Sequence, residues 1–114
     1  MKIAIIGSRE TGKINFEQEL EKRSLIFRND TIISGGARGI DTLAAMYARK
    51  HGMKLIEFRP DYATYGRGAT FVRNRLIVDV ANVVIAFWNG TSKGTKYTID
   101  YAKKKHVPVY IIRI

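Results

Sequence analysis

Thr31-Ile32-Ile33-Ser34-Gly35-Gly36-Ala37-Arg38-Gly39-Ile40-Asp41 is a short apolar run, broken by glycines and followed at once by a helical pattern. Thr31 to Ser34 reads as a buried strand. Ile40, Leu43, Ala44 and Tyr47 then stand at i, i+3, i+4 and i+7, one face of a helix that Gly52 closes. The same order of strand, glycine-bearing turn and helix recurs on both sides. Towards the N-terminus, Lys2 to Ile6 is a strand that stops at Gly7-Ser8-Arg9. Asn15, with Gln18 three residues on, opens a helix that carries Phe16, Leu20 and Phe27 and ends at Asn29-Asp30. Towards the C-terminus, Lys54 to Phe58 is a third strand, and Val72, Leu76, Ile77 and Val80 mark a third helix with Thr70 as its cap. Asn82 to Trp88 is a fourth strand; Thr98, Ile99 and Ala102 lie on a fourth helix, and Pro108 to Ile112 form a fifth strand. The predicted order is βαβαβαβαβ. Short strands apolar on both sides and separated by helix-length crossovers belong to a parallel sheet covered on both faces, which is an α/β doubly wound fold.

Length and composition fit that reading. The 114 residues are expected to form a single domain over 1–114, with 46% apolar and 26% charged residues. There are no cysteines and two histidines, so disulfides, thiolate chemistry and multi-histidine metal cages are not expected. No apolar run approaches the ~20 residues that span a bilayer. The expectation is a soluble cytoplasmic protein with no metal, no cofactor and no membrane partner.

Twenty Lys and Arg against ten Asp and Glu give a net charge of +10, which attracts nucleic acid or phosphate-bearing small molecules. Arg49-Lys50, Lys103-Lys104-Lys105, His51 and His106 sit near predicted helix C-termini, where cations complement the dipole and need no further role. Arg9, Arg38, Arg67, Arg73 and Arg75 instead fall in or beside predicted loops and helix starts.

Ligands of open α/β sheets bind beyond the carboxyl ends of the strands, at the switch point. That rule selects Gly7-Ser8-Arg9, Gly35 to Asp41, the Tyr65–Asn74 region and Trp88 to Thr95. Glycine lets the backbone approach a phosphate, and amides at the following helix start hold the anion. Ser92 and Thr95 add hydroxyl donors. Arg73 can grip a phosphate with two N–H groups, and Asn74 can fix a ribose or a base edge. Arg73 is expected to serve the ligand and not the fold, so that its loss changes stability by no more than about 1 kcal/mol. Asp41 either holds a ribose hydroxyl or caps its helix, the second being preferred. Trp88 is either a stacking residue or core. Arg59 to Ala69 reads as a loop of about 11 residues, long enough to suggest function, and Tyr62 and Tyr65 within it are candidate stacking residues. Neither a G-x-G-x-x-G nor a P-loop spacing is present.

The set Gly7-Ser8-Arg9, Ser34-Gly35-Gly36-Ala37-Arg38-Gly39-Ile40-Asp41, Arg73-Asn74-x-x-Ile77-Val78, Ala86-Phe87-Trp88 and Ser92-Lys93-Gly94-Thr95 resembles the SLOG superfamily, most closely its small YspA-like branch. That superfamily also holds the DNA-processing protein A family and the LONELY GUY phosphoribohydrolases. The resemblance runs from Lys2 to about Ile112 and implies a Rossmann-like three-layer sheet in the order 3-2-1-4-5, a nucleotide-type ligand, and a homodimer. It also implies that Gly35, Gly36, Arg38, Gly94 and Thr95 surround a phosphate, with Ser8, Arg9, Arg73 and Asn74 completing the pocket; Gly7, Ala37, Asp41, Trp88 and Ser92 stand beside them. One position departs. The LONELY GUY motif ends in a glutamate where this chain has Thr98, which cannot act as a carboxylate base. The leading expectation is therefore a nucleotide-binding sensor or accessory protein. The alternatives are a nucleotide phosphoribohydrolase and a single-stranded DNA binder. The net charge favours the last, although the sequence shows no interleaved basic and aromatic stripe.

Overall fold

The computed structural model describes residues 1–26 and 29–114, so the predicted helical position of Phe27 lies outside the described residues, and the first helix closes at Glu21, short of its predicted end at Asn29-Asp30. The elements are β1 (Lys2–Gly7), α1 (Phe16–Glu21), β2 (Thr31–Ser34), α2 (Ile40–Lys50), β3 (Lys54–Glu57), α3 (Tyr62–Tyr65), α4 (Ala69–Val80), β4 (Val83–Trp88), α5 (Lys93–Lys104) and β5 (Val109–Arg113). All strand pairs are parallel and the sheet order is β3-β2-β1-β4-β5. The chain thus winds outwards from β1 in two directions, which places the switch point between β1 and β4.

Alternation along the central strands divides the core. Ile3 and Ile5 of β1, Ile32 of β2, and Ile85 and Phe87 of β4 face α1 and α2, where Phe16, Leu20, Ile40, Ala44 and Ala48 cover them. Ala4, Ile6, Ile33, Val84 and Ala86 point the other way, onto Ile77 and Val78 of α4 and Ile99 and Ala102 of α5. Both faces of β1 and β4 are buried, which is why these strands read as unbroken apolar runs. Among the described residues, no helix is long and apolar enough to cross a membrane.

Two local expectations are corrected. The 59–69 segment is not a plain loop. It holds the single turn α3, capped by Asp61 accepting from the Thr64 amide at 3.1 Å, and a 3-10 turn over Gly66–Gly68. The helix after it begins at Ala69, with Gly68 and not Thr70 at its N-cap. The second correction concerns which side of α4 faces inwards. Ala69, Arg73, Ile77 and Val78 are buried, while Leu76 and Val80 stand exposed. Both faces of α4 are apolar, so periodicity could not choose between them. The choice was made by Arg73, whose hydrogen bonds lie inside the fold.

The basic residues at the end of α2 are engaged locally. Glu17 of α1 takes both Lys50 (2.9 Å) and His51 (2.7 Å) from the end of α2, and this pairing holds the Glu17 carboxyl below its ordinary value.

Candidate functional site

A cleft of ≈ 490 Å³ opens at the carboxyl ends of β1, β2 and β4. Its floor is the switch point. There the Ser8 amide donates to the Phe87 carbonyl (3.1 Å) and Ser8 Oγ accepts from the Asn89 amide (3.3 Å), joining the ends of β1 and β4. Ser8 is buried, whereas Arg9 beyond it is exposed at the cleft.

One wall is the turn after β2. Asp41 was expected to cap α2, and it does not: the cap position is Gly39, without a side-chain bond. Asp41 Oδ2 instead accepts from the Ala37 amide at 3.1 Å, drawing the turn back over the start of the helix. Opposite it, Arg73 Nη1 donates to the Gly35 carbonyl at 2.5 Å and, more weakly, to the Phe58 carbonyl at 3.4 Å, while Nε donates to Asn74 Oδ1 at 2.7 Å. Gly35 lies between the two charged groups. A Cβ there would stand 2.5 Å from Arg73 Nη1 and 2.8 Å from Asp41 Oδ2, so any larger residue forces these two side chains to shift. Burial raises the Asp41 carboxyl above its ordinary value, against the opposing pull of the Ala37 amide and Arg73. Burial likewise pushes the Arg73 guanidinium down while Asp41 holds it up. Arg73 remains charged, since arginine does not deprotonate in proteins. It is only 8% exposed, so the arginine expected to serve the ligand and not the fold is a tie between the ends of β2 and β3 and helix α4 that also lines the cleft.

The other wall is the start of α5. Asn89 Oδ1 accepts from the amides of Thr91 and Ser92, both at 2.9 Å, and fixes the turn after β4. Ser92 caps α5 by accepting from the Thr95 amide at 3.3 Å, and its Oγ lies 3.0 Å from Thr95 Oγ1. The amides of Lys93 and Gly94 are first-turn donors with no carbonyl of their own helix to bond. Gly94 needs no special backbone angle, and a Cβ there would meet nothing within 4 Å, so the space at this corner is open. Thr98 Oγ1, where a carboxylate would be needed for glycosidase chemistry, donates to the Gly94 carbonyl at 2.9 Å.

The fold thus brings Gly7, Ser8, Arg9, Gly35, Ala37, Arg38, Asp41, Arg73, Asn74, Ser92, Gly94 and Thr95 to one cleft. Gly36 and Trp88 do not line it. Gly36 turns towards Arg59, whose Nη1 lies 3.4 Å from its carbonyl. Trp88 is half-buried, donates to the Ser92 carbonyl at 3.1 Å, and has Arg113 5.5 Å over its ring. Asn89, Thr70 and Phe71, which lie within the selected Trp88–Thr95 and Tyr65–Asn74 segments, also line the cleft, as does Glu10, which lies outside all of them. The Asn89-Gly90 pair was a legible turn signal for the first. Glu10 pairs with Arg38 at 3.2 Å, both exposed.

A five-stranded parallel sheet in the order β3-β2-β1-β4-β5, with glycine-lined loops, arginines and a helix start at its switch point, belongs to the class of Rossmann-like α/β folds. Within that class, the chain belongs to the YspA, cpYpsA-related SLOG family, whose sequence profile matches residues 1–65. The Gene 61 protein of Mycobacterium phage D29 is 34% identical over 84 residues, which cover 68% of this chain and 67% of that protein. Two solved structures share the fold. DNA processing protein A from Helicobacter pylori, described with a unique single-stranded DNA binding mode, superposes with a TM-score of 0.73 at 24% identity. DNA processing protein A from Streptococcus pneumoniae gives a TM-score of 0.76, also at 24% identity. They match 97% and 99% of this chain, which spans 64% and 50% of theirs.

Proposed function

We propose that the cleft binds a nucleotide or a nucleotide-derived phosphorylated ligand, with the protein acting as a sensor or accessory factor. The observation that carries the reading is the convergence of two loops. The Gly35–Arg38 turn and the Ser92–Thr95 helix start face one another across a cleft whose size suits a small ligand. Arg9, Arg38 and Arg73 set three positive groups around it against the carboxylates of Glu10 and Asp41. Glu10 is already paired with Arg38, and the Asp41 carboxyl is turned onto the Ala37 amide. The open corner at Gly94 is where an anion would meet the α5 amides and the positive end of the helix. No carboxylate stands at Thr98, which supports binding over N-glycoside cleavage.

Calorimetric titration of the protein with nucleoside 5′-monophosphates and the matching nucleosides tests this directly. The monophosphate should bind, the nucleoside should not, and Gly94→Val should abolish the difference while leaving the circular dichroism spectrum intact. Equal binding of nucleoside and monophosphate, or an unaltered Gly94→Val variant, would remove the phosphate site from this loop. Release of free base during the titration would instead support the phosphoribohydrolase alternative.

Single-stranded DNA is a second reading, favoured by the net charge of +10. Oligonucleotide affinity measured across a salt series should then fall steeply as salt rises.

A further inference from the structure

Beside the cleft, on the outward side of α3 and α4, lies a groove of ≈ 510 Å³ whose walls include Tyr65, Phe71, Val72, Arg75 and Tyr97. These residues come from three helices and are far apart in sequence, so no stripe announces them. Tyr65 and Phe71 of this groove, and Tyr62 of α3, are 50%, 41% and 56% exposed. Phe71 meets the Tyr97 ring edge-on at 4.7 Å between centroids, and Arg75 Nη1 donates to Tyr97 Oη at 2.9 Å, which fixes both walls. No carboxylate lines the groove. Above all, Phe71 lines both the groove and the cleft, so the two spaces share a wall.

We propose that this groove is a stacking subsite for a second base. The ligand would then be a single-stranded oligonucleotide, with one phosphate in the cleft and the adjoining base over Phe71 and Tyr65. The proposal rests on the phosphate reading of the cleft. Flat aromatic faces beside a guanidinium, next to an anion site and free of acids, are what a sequence-tolerant strand binder presents. A second copy of the chain suits the groove less well. A two-fold interface centred here would bring Arg75 of each copy towards that of the other, between molecules that each carry +10.

The test compares thymidine 5′-monophosphate with 5′-phosphorylated di- and tetrathymidylate, by anisotropy competition at fixed salt. In the natural protein the second nucleotide should tighten binding about 5- to 150-fold, the range measured for one stacked base. Tyr65→Ala, which lines the groove alone, should erase most of that gain and leave monophosphate affinity within about twofold. Phe71→Leu keeps apolar volume without the ring and should erase the gain as well. Absence of monophosphate and oligonucleotide binding alike overturns the reading of the cleft, and this inference with it. Monophosphate binding with no gain from the second nucleotide, or a gain that survives Tyr65→Ala, overturns the stacking subsite alone. Sedimentation supplies a further outcome. A dimer that Tyr65→Ala converts to monomer, with oligonucleotide affinity unchanged, assigns the groove to a second copy and overturns the proposal.

Discussion

Replacing Arg73 by alanine removes a buried cation from the junction of β2, β3 and α4, and the cost follows from its partners. The bond to the Gly35 carbonyl is short, at 2.5 Å, and a charged donor to such an acceptor contributes about 1.5–3 kcal/mol. The 3.4 Å contact with the Phe58 carbonyl is too long to count fully, and Asn74 regains water when its 2.7 Å partner leaves. Asp41 also loses the cation that opposes its burial. Because the vacated space opens to the cleft, water can reach the Gly35 carbonyl and limit the loss. The expected destabilisation is about 2–4 kcal/mol, well above the ~1 kcal/mol of an ordinary surface change. Urea unfolding followed by the fluorescence of Trp88, the single tryptophan, measures it. With a slope of about 2 kcal/mol/M the midpoint should fall by roughly 1–2 M. Arg73→Lys keeps the charge and one bond, and should recover about half of the loss. An Arg73→Ala midpoint unchanged within error, accompanied by a large fall in nucleotide affinity, would refute the structural role and return the residue to the ligand alone.

Gly35→Ala inserts a Cβ between Arg73 and Asp41 and should cost about 1–3 kcal/mol by overpacking, read from the same urea curves. Gly94→Ala has the opposite sign for stability. Its Cβ meets open space, so the helix should gain about 0.4–1 kcal/mol in thermal unfolding while calorimetry shows weaker nucleotide binding. Asp41 gives a pH signature. Its carboxyl is raised above 3.8, so the folded protein holds this proton more tightly than the unfolded chain does. The Asp41 contribution to stability should therefore decline as pH climbs from about 3.8 through the raised value. Asp41→Asn should remove that decline from a plot of unfolding free energy against pH, and an identical slope in the variant would show that another group titrates there.

The strands were legible in the sequence because β1, β2, β4 and β5 are largely apolar runs cut by glycine or polar turn residues, whereas β3 holds only Leu55 and Ile56 between Lys54 and Glu57. Helix-length crossovers then leave little choice but a parallel sheet. The cleft was legible for a related reason. Gly35 to Arg38 follow β2 directly and Ser92 to Thr95 follow β4 after a three-residue turn, and chain topology carries such turns to one edge of the sheet. Three other features waited for tertiary structure. Helix α4 is apolar at Val72, Leu76 and Val80 as well as at Ala69, Ile77 and Val78, so its inward face was decided by where Arg73 found carbonyl partners. Asp41 is an acid in the first turn of α2, a type that suits a helix start, yet the Ala37 amide captured it once the turn folded back. Tyr65, Phe71 and Tyr97 meet only because α3, α4 and α5 pack together. Periodicity within one segment records what that segment can bury. Which buried polar group meets which partner depends on segments distant in the chain, and only packing brings those together.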